Sequence, residues 1–452
     1  MVKRNFFGTD GIRGRFGIDP ITPLTVLKLG WAVGTVMRKN FGKGQILIGK
    51  DTRVSGYILE SALEAGISSA GMDVVMLGPV PTPAIAYLTR SARATAGVVI
   101  SASHNPFYDN GIKFFSADGF KISDELEIEI EQTLLESMET VEPKDLGKAS
   151  RMVSAAERYI EFCKGALAPE TNLKGLKVAI DCANGAAYQV APKVFTELGA
   201  TVSIMHNLPN GFNINEQCGS THMSDLQAFV LEEQCDLGVA FDGDADRVMM
   251  VDHTGKIVDG DQLLYVLTSS KQVKGELTGG VVGTLMTNLG LEKRFNYLDI
   301  PFVRAAVGDR YVLQLMQENN WYYGGESSGH LICLDKSTTG DGLVAALLVV
   351  EALAGRQKTL QEIVQEYEVF PQKMINVSIE GSSQSAKEVC ANQAVNDAVQ
   401  EAEAVLADKG RVLLRPSGTE PLIRVMVEGQ DKQQVYDCCE KLAAKVQEII
   451  TS

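Results

Sequence analysis

The segment SALEAGISSAGMDVVMLG, Ser61–Gly78, runs a helical pattern into a break of one or two residues and then into a β-rich run. The same order recurs in APKVFTELGATVSIM, Ala191–Met205, and in GLEKRFNYLDIPFVRAAVGD, Gly290–Asp309. Near each lie apolar runs that end in polar turns. These are ILIGKDTR and VVISASHN in the first region, VAIDCANG and LGVAFDGDAD in the second, and GVVGTLMTN in the third. Strands alternating with helices predict parallel sheets joined by crossover helices. A repeat of about a hundred residues is too long for a solenoid, so three related mixed α/β domains are expected. The C-terminal stretch reads otherwise. KMINVSI alternates as a strand, Ser385–Ala407 is alanine-rich and helical, and RVLLR and LIRVMVEG flank the turn PSGTEP. Val435, Leu442, Val446 and Ile449 then recur at helical spacing, completing a smaller α+β domain. The expected domains are residues 1–155, 156–257, 258–370 and 371–452.

A chain of 452 residues exceeds one compact core. Its net charge of −15 repels phosphodiester backbones, which argues against a nucleic-acid partner. A small phosphorylated ligand can still bind in a local basic pocket, because near charges outweigh distant screened ones. Cys163, Cys182, Cys218, Cys235, Cys333, Cys390, Cys438 and Cys439 are scattered without a C-x-x-C pair, so buried thiols in a reducing compartment are expected. No apolar signal region opens the chain, and no run approaches the roughly 18 to 20 apolar residues of a membrane span. A cytoplasmic protein with no membrane partner is the expectation.

Three stretches carry chemistry. In FDGDADR, Phe241–Arg247, Asp242, Asp244 and Asp246 alternate just after an apolar run. Carboxylates packed this closely repel one another, and their ionised forms need a cation. Hard oxygen donors suit Mg²⁺. A calcium loop would need glycine and glutamate where Arg247 and His253 stand. Mg²⁺ usually shares its shell with a phosphate. VVISASHNPFYDNGIKF, Val98–Phe114, can supply one on Ser103, with Lys113 nearby, so that serine would act as a covalent way station. His104 adjoins Ser103, but neighbours on an extended segment point apart, so His104 is not expected to reach it. RPSGTEPLIR, Arg415–Arg424, offers arginines, hydroxyls and a glycine to a second phosphate. Two near-matches fail. GQILIGKD has Asp51 where a P-loop needs Ser or Thr, and GESSG is followed by a strand where a nucleophile elbow needs a helix.

SASHNP, DGDADR, GESSGH and RPSGTEP, in this order along four domains, resemble the α-D-phosphohexomutase superfamily. FGTDGIRG and RPSGTEPLIRVMVEG are most similar to its glucosamine-phosphate branch. The resemblance spans Phe7 to the final helix and implies four domains around a central cleft. It implies that Ser103 carries the phosphoryl group and that Asp242, Asp244 and Asp246 hold Mg²⁺ with it. Glu326 and Ser328 would hold sugar hydroxyls. Arg415, Ser417, Gly418 and Thr419, with Arg424 in the same motif, would hold the phosphate not being transferred. Arg13, Lys113, Arg247 and His330 match basic positions near the reacting groups. The implied reaction interconverts glucosamine 6-phosphate and glucosamine 1-phosphate through a 1,6-bisphosphate and feeds UDP-N-acetylglucosamine synthesis. Glucosamine or glucose 1,6-bisphosphate would be the activator, and a homodimer the assembly. Glucose or mannose phosphates are the alternative substrates. A non-catalytic phosphosugar-binding protein and a phosphatase are more distant alternatives. One departure stands out: Ala245 replaces the second glycine of the common D-G-D-G-D-R loop. A positive φ there would cost alanine about 1 kcal/mol or more. Alternation turns its side chain away from the metal, so binding is expected to survive.

Overall fold

The computed structural model describes residues 6–8, 10–380, 382, 384–417 and 421–451. It divides into two compact units, Met1–Thr284 with Val303–Val364, and Leu285–Phe302 with Gln365–Ser452.

The first unit contains the α/β sheets. The strand Gln45–Lys50 is buried along almost its whole length, as Ile46, Leu47 and Ile48 require. It pairs in parallel with Asp73–Pro79 on one side and Ala96–Ile100 on the other. Asp109–Ser116 and Ile12–Arg15 extend the sheet antiparallel, and Ala149–Arg151 closes the other edge. Crossover helices Val54–Ser69 and Thr82–Ser91 connect the parallel strands, as the Ser61–Gly78 segment predicts.

The second sheet repeats the plan. Lys177–Asp181 lies parallel to both Thr201–Met205 and Leu237–Phe241, with Val248–Asp252 turning back antiparallel. A third sheet orders Phe302–Ala305, Val281–Thr284, Tyr323–Gly325 and Leu331–Cys333. The last two form a hairpin, and GESSGH is its connection. The strand after the serines rules out a nucleophile elbow, which needs a helix there. The expected class of mixed α/β domains plus a smaller α+β domain is the one observed. In each α/β sheet a polar motif begins where a buried strand ends: Ser101 after Ile100, Asp242 after Phe241, Glu326 after Gly325. Such strand ends are the usual ligand-binding edge of α/β sheets.

The second unit is built on the antiparallel strands Gln372–Ser378, Leu422–Gly429 and Gly410–Pro416, with Leu422–Gly429 in the centre. Val425 and Val427 pack with Val435, Leu442 and Val446 of the final helix Lys432–Thr451. The helical stretch expected at Ser385–Ala407 is two helices, Ala386–Cys390 and Gln393–Leu406. The Asn392 side chain caps the second by accepting from Ala394 N at 2.9 Å. The helix Leu289–Tyr297 groups with this unit: Asn288 accepts from Gly290 N and donates to the Phe370 carbonyl, each at 2.9 Å. All eight cysteines are free. Among the described residues, no helix is long and apolar enough to cross a membrane.

Candidate active site at a buried carboxylate cluster

The strand Ala96–Ile100 delivers Ser101 to a turn in which its Oγ accepts from Ser103 N at 2.9 Å. Ser103 takes a left-handed φ of 53°, a conformation that a non-glycine residue keeps only when its surroundings impose it. They do so through the Ser103 carbonyl. Arg53 Nη2 donates to that oxygen at 3.1 Å and Asn215 Nδ2 at 2.9 Å. Arg53 is fully buried and paired with Asp51, which makes it a fixed post rather than a surface tether.

Thus held, Ser103 Oγ donates to Asp242 Oδ2 at 2.6 Å. The two loops can meet because residue 243 is glycine: a Cβ there would lie 2.6 Å from the Ser103 carbonyl oxygen. The turn at Ser103 also corrects the extended-segment reading of His104. Its Nδ1 lies 3.2 Å from Ser103 Oγ, because a left-handed residue swings its neighbour to the same side. Burial, with Arg247 and Arg13 nearby, lowers the His104 pKa to about 4, so its ring is neutral at pH 7.

Asp242, Asp244 and Asp246 are all buried, and each offers an oxygen within 4.8 Å of the others. Burial and the charges of Asp246 and Asp244 push the Asp242 carboxyl well above its usual range. Asp244 Oδ2 accepts from Thr82 Oγ1 at 2.7 Å, while Asp244 Oδ1 is buried with no hydrogen-bond partner and Asp246 Oδ1 has only the more distant His330 Nδ1, 3.6 Å, and Arg247 Nε, 3.9 Å. Buried carboxylate oxygens without donors are costly unless a cation takes their place. An all-oxygen donor set with such lone pairs fits a hard divalent ion. Ala245 does take the left-handed conformation, φ 58°, so the alanine penalty anticipated from sequence is present.

The expected basic residues converge here. Lys113 is buried, with Nζ 3.0 Å from Asp10, 3.2 Å from Asp244 and 3.5 Å from Asp246. Burial opposes its charge, but the three carboxylates outweigh burial and raise its pKa. Arg13 pairs with Asp10, and the Arg247 backbone N–H donates to Asp242 Oδ1 at 3.1 Å. His330 Nδ1 stands 3.6 Å from Asp246 and Nε2 3.8 Å from Asp309. Against its burial, Asp246 and Asp309 raise the His330 pKa to about 9, so it is cationic at pH 7.

Glu326 lies in the same unit, where its Oε1 accepts from Gly308 N at 3.0 Å, and Ser328 is exposed on the same hairpin turn. Arg415 and Arg424 belong to the other unit and face each other directly across antiparallel strands. Like charges at that spacing repel, and burial together with Arg424 lowers the Arg415 pKa. Ser417 follows the end of that strand, with its N–H donating to the Leu422 carbonyl at 2.9 Å. Gly418 and Thr419 lie outside the described residues.

Sequence reasoning missed Asp10, Arg53, Thr82, Asn215 and Asp309. Asp10 lies within FGTDGIRG and Arg53 within ILIGKDTR, a strand that ends in a polar turn, so both had a local signal. Asn215 and Asp309 had none, since only the fold brings them near.

Profiles of the phosphoglucomutase/phosphomannomutase family match in series: α/β/α domain I at residues 4–140, domain II at 157–255, domain III at 259–370 and the C-terminal domain at 374–445. This chain belongs to that family, within the α-D-phosphohexomutase superfamily, and is a phosphosugar mutase, an isomerase. Among curated relatives, the phosphoglucosamine mutase of Pseudomonas entomophila is 57% identical over 448 residues, covering 99% of this chain and 100% of its own. That of Haemophilus influenzae is 55% identical over 449 residues with the same coverage. Among solved structures, a phosphoglucomutase/phosphomannomutase family protein from Burkholderia thailandensis superposes with a TM-score of 0.81 at 21% identity, covering 99% of this chain and 98% of its own. The Aspergillus fumigatus N-acetylphosphoglucosamine mutase, solved with GlcNAc-6P and magnesium, gives 0.68 at 16% identity, covering 99% and 96%.

Proposed function

We propose that this chain interconverts glucosamine 6-phosphate and glucosamine 1-phosphate, with Ser103 as the phosphoryl carrier and a 1,6-bisphosphate as the intermediate. The contact that carries the reading is the 2.6 Å hydrogen bond from Ser103 Oγ to Asp242 inside the carboxylate cluster. In the first half-reaction the Ser103 O–P bond breaks as a sugar O–P bond forms. The proton of the attacking hydroxyl replaces the phosphoryl group on the serine oxygen. The bisphosphate then reverses and returns its other phosphoryl group to Ser103.

Asp242, Asp244 and Asp246 would hold Mg²⁺ with the phosphoserine oxygens. When bound, the ion supplies positive charge to the transferring phosphoryl group. Lys113, Arg247 and His330 add fixed cationic charge beside the same loop. Neutral His104 lies 3.2 Å from Ser103 Oγ, within reach of its proton. Arg13 steadies Asp10, and Asp10 in turn contacts Lys113. Glu326 and Ser328 bind sugar hydroxyls. Arg415, Ser417, Gly418, Thr419 and Arg424 hold the spectator phosphate. Relief of the Arg415–Arg424 repulsion by an anion supports that assignment. The product would feed UDP-N-acetylglucosamine and cell-wall synthesis in the cytoplasm, and the working form would be a homodimer. The activator is glucosamine or glucose 1,6-bisphosphate.

The amino-sugar assignment rests on relatives 55–57% identical over the full chain. Initial rates on glucosamine, glucose and mannose phosphates test it. Glucosamine phosphate is expected to exceed the others in kcat/KM by at least about tenfold, about 1.4 kcal/mol of transition-state binding. Equal values for glucose phosphate would move the chain to the phosphoglucomutase branch.

Asp244→Asn removes one charge from the metal set. The Mg²⁺ concentration at half-maximal rate should rise by about tenfold or more, since affinity follows ligand charge. An unchanged Mg²⁺ dependence would remove Asp244 from the ligands.

A further inference from the structure

We propose that Asp181, His206 and Cys218 form a second metal site, for a borderline-soft divalent ion such as Zn²⁺. It lies at the same edge of the second sheet as the aspartate loop. Asp181 ends the strand Lys177–Asp181, and its register partner Met205 ends the adjacent parallel strand. His206 follows Met205 directly, and Cys218 precedes the turn Gly219–Thr221. One ligand atom from each of the three lies within 4.8 Å of the others.

The geometry is closer to a ligand set than to a hydrogen-bonded pair. His206 Nδ1 is 3.1 Å from Asp181 Oδ2, close enough to pair with it, but the two are not aligned as a regular hydrogen bond. Two donors each about 2.0 Å from a tetrahedral zinc sit roughly 3.3 Å apart, which is close to that spacing. The carboxylate is already oriented: Oδ1 accepts from Ala183 N and Oδ2 from Gly219 N, each at 2.8 Å. Backbone donors of this kind fix a ligand while leaving lone pairs for an ion. Asp181 and Cys218 are fully buried, whereas His206 is partly exposed and opens a path to solvent. Three protein ligands leave a fourth position for water. A thiolate, an imidazole and a carboxylate select a softer ion than the all-oxygen aspartate cluster, so the two sites do not compete for Mg²⁺.

The site backs the aspartate loop. Asp181 pairs with Ala240, two residues before Asp242. Gly219 sits so close to the Phe241 carbonyl that a Cβ would lie 2.5 Å from it. An ion here ties together three loops that support Asp242 and stabilises the folded state by mass action.

Co²⁺, a spectroscopic substitute for Zn²⁺, tests the proposal in the full-length protein under excess Mg²⁺. One equivalent should produce a thiolate-to-cobalt charge-transfer band in the near ultraviolet, and one equivalent of Zn²⁺ should displace it. Cys218→Ser should abolish the band. His206→Gln, at a partly exposed position and so a second route should the first variant fail to fold, should weaken Co²⁺ binding at least about tenfold. Asp244→Asn should leave the band intact. Absence of the band, its survival in Cys218→Ser, undiminished Co²⁺ affinity in His206→Gln, or its loss in Asp244→Asn would each overturn the site.

Discussion

Ser103→Ala should lower kcat by at least about a thousandfold, roughly 4 kcal/mol of barrier, while the chain still folds. The serine hydroxyl lies 2.6 Å from Asp242 and can form a phosphoester. Its left-handed backbone is imposed by Arg53 and Asn215, and neither contact involves the side chain that is removed. Folding stability should therefore fall by only about 1 kcal/mol, the net worth of one hydrogen bond. Circular dichroism and a thermal melt separate the two effects. A variant that retains wild-type turnover would show that the phosphoryl group does not pass through Ser103.

Lys113→Met should produce the largest loss of stability. The ammonium group is buried among Asp10, Asp244 and Asp246, and the thioether leaves three carboxylates without it. Removing one partner of a buried charge network costs about 3–5 kcal/mol. The pH dependence has a definite sign. Asp10 and Asp246 are held well below the usual carboxylate range, against burial, with Lys113 the leading opposing charge for each. Depressed carboxylates contribute stability above their unfolded pKa, and that stability is lost as pH falls through the folded value. Without Lys113 their folded pKa values rise, so much of that contribution disappears from the variant at neutral pH. The deficit against wild type should therefore be greatest at neutral pH and shrink below about pH 4, where wild type loses the same contribution. Excess Mg²⁺ should recover part of it. Urea melts at both pH values provide the measurement. A deficit under about 1 kcal/mol at neutral pH would mean that the carboxylates are neutralised by something other than Lys113.

The parts legible in sequence share a physical cause. Buried strands declare themselves by β-branched runs, and the polar motifs at their ends follow from where a sheet opens to ligand. Ser103 and the three aspartates were found for that reason, His330 only through the family resemblance, and the structure brings them together with Lys113. What sequence missed is non-local. His104 looked turned away because the reading assumed extended backbone. The left-handed turn at Ser103 depends on Arg53, fifty positions earlier, and Asn215, in a loop more than a hundred positions later. Asp309 reaches His330 only through the fold of the third sheet. The break at Asn392 was hidden because alanine-rich flanks favour helix on both sides, while a single side-chain cap decides where the second helix starts.

Intact-protein mass spectrometry with peptide mapping, before and after incubation with glucose 1,6-bisphosphate, tests the phosphoserine mechanism most directly. The peptide containing Ser103 should gain one phosphoryl group, and glucosamine 6-phosphate should remove it. No gain under any charging condition, or a phosphoryl group on another residue, would contradict it.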